Sequence, residues 1–313
     1  MTPASRELTI GLASAFGVVC MWTSFQLISR AGAQSTLTPY DLATLRFGIG
    51  AIVVLPFAWR MGLGTLKLWQ AAVLAIFAGP GFTLLAFVGY TFASTAHGAA
   101  ILSGTVSVFS GIFGWIVLRE RLSALQMGGL AVLLLGVALV TGGSIGGILE
   151  NQWIGDLMFL SAAASWAVFA VFARKWRVSA MRATFVTALI SAAIFVPIHV
   201  VFLPSNFAGT SWLEIAGYGF YQGILSMILS MLLFTRAVEA LGPTMTSILA
   251  ASVPATATLL GWWLLDETVN DITLIGVGAV TVGIAGAAVG SEIARRKSVS
   301  AARLAAASTA PLS

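Results

Sequence analysis

The chain holds 313 residues, 58% of them hydrophobic and only 9% charged, with a mean hydropathy of +0.97. Soluble domains carry roughly 25% charged residues, so this composition excludes a soluble globule and places the chain in a bilayer. The net charge of +5 comes from basic residues near apolar segments, with no dense or aromatic-interleaved run, which excludes a nucleic-acid surface.

Ten continuously apolar stretches follow one another at about residues 8 to 29, 39 to 59, 68 to 92, 96 to 118, 124 to 142, 153 to 174, 180 to 203, 213 to 238, 243 to 265 and 271 to 290. Each is long enough to cross a hydrocarbon core of roughly 30 Å as a helix. None alternates apolar and polar residues as a barrel strand requires, so the expected class is an all-α membrane protein with ten transmembrane helices. The links leave no room for a soluble domain, and function must be built within the membrane or in short connections. The first stretch, followed by Ala31-Gly32-Ala33, superficially suggests a cleaved leader. Its apolar run exceeds the roughly 7 to 15 residues of a leader core.

Span one carries the single cysteine, Cys20, which excludes an intramolecular disulfide. It also carries Trp22 at mid-span, with Gln26 one turn beyond on the same face. In span two, Arg46 lies inside the hydrocarbon, where a charge is costly unless paired or hydrated. Three roles are open to it: capping carbonyls, pairing with Asp41 near the span start, or holding a substrate carboxylate. Gly79-Pro80-Gly81 interrupts span three, Tyr90 lies near the end of that span, and His97 follows. Proline removes a backbone donor, and broken backbone at membrane depth is tolerated only where protein or water satisfies it. Pro80 therefore marks the cavity or a hinge, and Pro254 in span nine does the same.

Ser103, Ser107, Ser110, Gly111 and Gly114 share a face of span four, where small side chains let neighbouring backbones approach. Trp166 occupies the middle of span six. Span eight repeats Tyr218, Gln222, Ser226 and Ser230 at every fourth residue, a stripe that must face the interior because polar groups in hydrocarbon need partners. The substrate-binding candidates are thus Trp22, Gln26, Tyr90, His97, Ser103, Trp166, Tyr218, Gln222 and Ser226. For each the alternative is ordinary helix packing or interhelical hydrogen bonding. Gly276, Gly283, Gly286 and Gly290 in span ten are compatible with packing inside the bundle or against a second copy.

The chain repeats itself. A shift of 147 places Trp115 on Trp262, Glu120 on Glu267, Gly129 on Gly276 and Gly136 on Gly283. A shift of 144 places Trp22 on Trp166 and Arg30 on Arg174. Residues 1–145 and 150–295 read as two copies of a five-helix unit, with 296–313 as a mobile cytoplasmic tail. Consecutive copies of an odd-numbered unit enter the membrane from opposite sides, which makes the repeat inverted. With a cytoplasmic amino terminus, every basic residue outside the spans lies on the cytoplasmic side except Arg30, as the positive-inside rule requires. That bias explains why "RERL" at 119–122 becomes "DETV" at 266–269.

These features resemble the drug/metabolite transporter superfamily, specifically its EamA-type members. The resemblance rests on "LATLRFGIGA" in span two and on the "GWIVLRERLS…GGLAVLLLGVALV" and "GWWLLDETVN…IGVGAVTVGIAG" pairs. It implies an alternating-access carrier of the bacterial inner membrane, and among its members the chain looks most like exporters of aromatic amino acids. The element around Arg46 recurs across members with diverse substrates, which favours a structural role for it. Exporters of other metabolites or of cationic drugs are the alternative.

An enzyme or channel is the reading of another class. Ile101-Leu102-Ser103-Gly104 lacks the leading glycine of a GxSG serine motif, and no HExxH occurs. Two separated histidines, His97 and His199, with one cysteine make a poor metal set, so neither cofactor nor metal is expected. All eleven acids fall at or near span ends or in links, leaving no obvious proton relay. The expectation is exchange or facilitated movement of a small zwitterionic or neutral substrate.

Overall fold

A computed structural model describes residues 3–143 and 151–308, so the junction expected at 145 to 150 and residues 309–313 lie outside the described residues. Ten helices long and apolar enough to cross a membrane are present: Arg6–Ala33, Pro39–Met61, Leu68–Phe92, Thr95–Leu118, Ala124–Gly142, Gln152–Lys175, Ala180–Phe202, Trp212–Leu241, Pro243–Leu264 and Asp271–Lys297. They are spans one to ten, and the class is all-α. The last helix continues past its span to Ser308, through alanine-rich sequence that favours helix.

Local sequence starts and interrupts these helices. Thr38 and Asp41 form a reciprocal capping box at span two, and Ser123, Ser179 and Ser211 accept first-turn amides at spans five, seven and eight. Span three breaks at Gly79, after which Pro80 starts a new helix; span nine breaks at Ala251-Ser252, just before Val253 and Pro254. Span four ends in a π-helical turn, Gly114–Leu118, closed by left-handed Arg119 at φ 56°. Span eight is π-helical from Phe220 to Leu229.

Packing runs across the two halves. Span two lies on span seven, four on nine, and five on ten; span one lies on eight, and three on six. Exchanging the first five spans for the last five returns the same set of pairs. The seam between spans five and ten is the tightest: a Cβ on Gly136 would stand 2.6 Å from Gly276 O, so the two backbones touch. Gly283 and Gly290 likewise face backbone of span five, which places the span-ten glycines inside the bundle. The outer surface stays apolar, with Trp59, Phe202, Trp212 and Leu213 exposed, as a lipid-facing surface requires.

Candidate functional site

The buried polar residues meet where the halves meet. Arg46, in span two, is 9% exposed and donates through Nη1 to Gln222 Oε1 at 3.1 Å and Ser226 Oγ at 2.9 Å, both in span eight. Its guanidinium carbon lies 5.4 Å from the Phe25 ring centre, a cation–π contact with span one. Gln222 Nε2 donates to Ser29 Oγ at 3.3 Å, which ties span one into the same cluster. Seven residues separate Arg46 from the start of span two, so it sits roughly 10 Å inside that end of the bundle.

The π-helical winding of span eight explains why its stripe works. An i→i+5 hydrogen-bond ring takes more residues per turn than an α-helix, so residues four apart stay closer to one line. Tyr221, Gln222, Gly223, Ser226 and Met227 are all buried within it. Tyr218, half-buried one turn earlier, leaves the stripe and lines an apolar cleft with Ile28, Ala31 and Tyr221. Tyr221 was absent from the expected set, yet its hydroxyl meets Ser24 Oγ at 2.6 Å and donates to Met21 O at 3.1 Å.

Arg46 does not pair with Asp41, which overturns that sequence-based alternative. Asp41 is fully buried at its span's first turn, where it accepts from Ser205 Oγ at 2.6 Å and Asn206 N at 3.0 Å. It thereby fastens the link after span seven to the start of span two. His199 joins this fastening through Thr44 Oγ1 at 2.7 Å, with its Nε2 3.3 Å from Asp41 Oδ1.

A second group closes the same end of the bundle. Gln26 accepts from the Tyr90 hydroxyl, and both are buried. One turn beyond Gln26, Arg30 donates through Nη1 to Tyr90 O and through Nε to Glu267 Oε1 at 3.0 Å. Glu267 also accepts from Thr95 N, 3.0 Å from each carboxylate oxygen, at the first turn of span four. His97, two residues on, meets Asp156 Oδ1 at 2.7 Å across to span six. A polar cleft of about 290 Å³ opens outside this closure, lined by Arg30, Gln34, His97, Glu267 and Thr268 among others.

Trp22 and Trp166 do not share a wall. Trp22 stacks on Phe234 of span eight at 5.5 Å, whereas Trp166 packs on Phe82 at 4.9 Å and Phe169 at 5.1 Å. Ser103 is half-buried on span four, below the fully buried run from Thr95 to Leu102.

Side-chain hydroxyls gather on carbonyls around both breaks. Near Pro80, Phe77 O accepts from Ser165 Oγ of span six at 2.8 Å, and Ala75 O, which also accepts from Gly79 N, takes a second contact from Ser191 Oγ of span seven at 3.3 Å. Near Pro254 the donors are local: Ser252 Oγ gives to Leu249 O at 2.8 Å and Thr258 Oγ1 gives to Pro254 O at 2.8 Å. Among the described residues no three His, Cys, Asp or Glu side chains converge as a metal site.

Comparison with known proteins is consistent with this architecture. Residues 9–142 and 153–289 each match the model of the EamA-like transporter family. The chain is 29% identical over 289 residues to the uncharacterized transporter YdfC of Bacillus subtilis (strain 168), across 89% of this chain and 88% of that one. It is 27% identical over 282 residues to an uncharacterized transporter of Clostridium kluyveri, across 83% and 86% respectively. A solved crystal structure superposes with a TM-score of 0.60 over 93% of this chain and 98% of that one, at 23% identity, which shows the shared fold. One family model thus spans both halves of the chain, and the protein is a multi-pass membrane transporter belonging to the EamA-like transporter family.

Proposed function

We propose that this transporter is an alternating-access exporter of small metabolites in a bacterial inner membrane, with amino acids bearing aromatic or apolar side chains as its substrates. Its two five-span units are read as inverted, with both termini cytoplasmic. Two observations support the inversion: the family model matches each unit separately, and Glu267 docks at Thr95, the opposite end of span four from Glu120. Halves of like shape and opposite orientation supply two conformations by exchanging shapes, with the substrate held between them.

The observation that carries the substrate reading is Arg46. It is buried between the halves, its hydrogen-bond partners Gln222 and Ser226 are neutral, and an aromatic ring lies beside it. A carboxylate meeting this guanidinium gains a charge-assisted contact, while Phe25 with Phe82 stacked on it offers aromatic surface for an apolar side chain. The net balance suits a zwitterion, and exchange or facilitated movement suffices to drive it.

Purified protein in liposomes, loaded with one unlabelled amino acid at a time and given labelled phenylalanine outside, tests this reading by counterflow. Saturable counterflow with aromatic and large apolar amino acids is expected. Counterflow with organic cations but no amino acid would replace the substrate class by the alternative, and a flux that never saturates would make the protein a channel.

A further inference from the structure

The two halves carry the same acid–base pair, one copy at each end. The shift of 144 that places Arg30 on Arg174 and the shift of 147 that places Glu120 on Glu267 turn the pair Arg30–Glu267 into the pair Arg174–Glu120. Both pairs are formed in the structure: Arg30 Nε lies 3.0 Å from Glu267, and Arg174 Nη1 lies 3.2 Å from Glu120.

Their backbones agree in detail. The residue before each glutamate is left-handed, Arg119 at φ 56° and Asp266 at φ 52°. Each glutamate amide reaches back to the glycine six residues earlier, Glu120 N to Gly114 O at 3.3 Å and Glu267 N to Gly261 O at 3.4 Å. Each carboxylate also folds over that glycine, where a Cβ would meet it at 2.9 Å. The glutamates therefore stand in equivalent positions at the carboxyl ends of spans four and nine.

Their surroundings differ. The Arg30–Glu267 side chains are 12% and 7% exposed, and Glu267 also holds the first amide of span four. Arg174 and Glu120 are 50% and 51% exposed, and the two contacts to Glu120 side-chain oxygens come from Arg174 alone. Burial along the spans follows the same division. Span four is buried continuously from Thr95 to Leu102, but nowhere from 106 to 113; in span nine, Pro243–Ala250 buries only Thr246. Spans four and nine are thus packed more deeply at the Glu267 end than at the Glu120 end.

We propose that Glu267 with Arg30 and Glu120 with Arg174 are alternating latches of the transport cycle, each sealing one end of the carrier. In the state described here Glu267 is latched. In the opposite state Glu120 docks on the first turn of span nine, where the amides begin at Thr244 because Pro243 has none, and Glu267 is left as exposed as Glu120 is here. A half-exposed pair holds little, whereas a buried carboxylate with an arginine and a backbone amide holds strongly, so each latch acts only when its own end shuts. The glutamates and arginines are positioning residues with no contact to substrate. This proposal rests on the alternating-access reading above.

Distances between spin labels on full-length protein in lipid nanodiscs, in a Cys20→Ser background, test it. One pair, Gln34→Cys with Thr268→Cys, reports the Glu267 end; the other, Arg121→Cys with Glu239→Cys, reports the Glu120 end. Glu267→Gln should lengthen the first distance and shorten the second, changing the ratio of the two states about tenfold or more. Glu120→Gln should shift both the opposite way, and the exchange Arg30→Glu with Glu267→Arg, which rebuilds the ion pair without the Thr95 amide, should return the ratio part of the way. Should Glu267→Gln fail to fold, Arg30→Gln removes the same pair. Two states present but unmoved by either variant, or moved in the same direction by both, would overturn the latches and leave the carrier intact. A single unvarying distance at each end, with or without substrate, would overturn alternating access itself.

Discussion

Arg46 Nη1 lies 3.1 Å from Gln222 Oε1, so a cation from the first half is held inside the membrane by an amide from the second. If this cation anchors a substrate carboxylate, Arg46→Lys keeps the charge but loses the planar fork. A hydrogen bond to a charged group contributes about 1.5–3 kcal/mol, so KM for amino acids should rise about 10- to 100-fold. Counterflow of the matching decarboxylated amines should change far less. Equal loss for acid and amine would reduce Arg46 to a tie between spans two and eight.

Trp22 and Trp166 divide by their neighbours. Trp22 is half-buried on Phe234, whereas Trp166 packs on Phe82, which stacks at 6.2 Å on Phe25, the ring beside Arg46. Trp166→Ala should reduce competition by aromatic more than by aliphatic amino acids in counterflow. Trp22→Ala should lower thermal stability more than it alters that ranking. If alanine at Trp22, Trp166 and Gln222 each left every substrate unaffected, the site would lie elsewhere.

The break in span three depends on donors from the other half. Ser165→Ala strips the hydroxyl from Phe77 O, and leaving a buried carbonyl without a partner costs about 1–3 kcal/mol, whereas in Ser191→Ala the carbonyl of Ala75 still accepts from Gly79 N at 2.7 Å. Ser165→Ala should melt earlier in detergent than the parent protein, and Ser191→Ala should lose less. No change in melting for either would mean that water already serves the break.

Compartment labelling tests the inversion directly. In closed vesicles, a membrane-impermeant maleimide should reach Arg121→Cys and Thr268→Cys from opposite faces, with residue 121 on the side of the amino terminus. Labelling of both from one face would end the inverted reading.

Span number and position were legible in the sequence because crossing a bilayer is a local matter of length and apolarity. The breaks at Pro80 and Pro254 and the stripe through Gln222 and Ser226 were legible for the same reason: each is written within one helix. What meets what was not. Asp41, Asp156 and Glu267 were read as span-end acids, and they do stand near ends, but they are buried there by links and helices distant in sequence. Ser165 and Ser191 gave no signal as donors to span three, since nothing in their own helices marks the carbonyls they serve. The π-helical winding of span eight left one trace, the four-residue spacing of its polar side chains.

The contact between Gly136 and Gly276 brings backbone onto backbone, and Gly129, Gly283 and Gly290 continue it along the fifth and tenth helices. Such a joint is keyed rather than greased: a methyl group at any of these five glycines would stand 2.4–2.8 Å from the facing main chain. Under the alternating-access reading proposed above, this spine would hold still while the remaining eight helices swing about it.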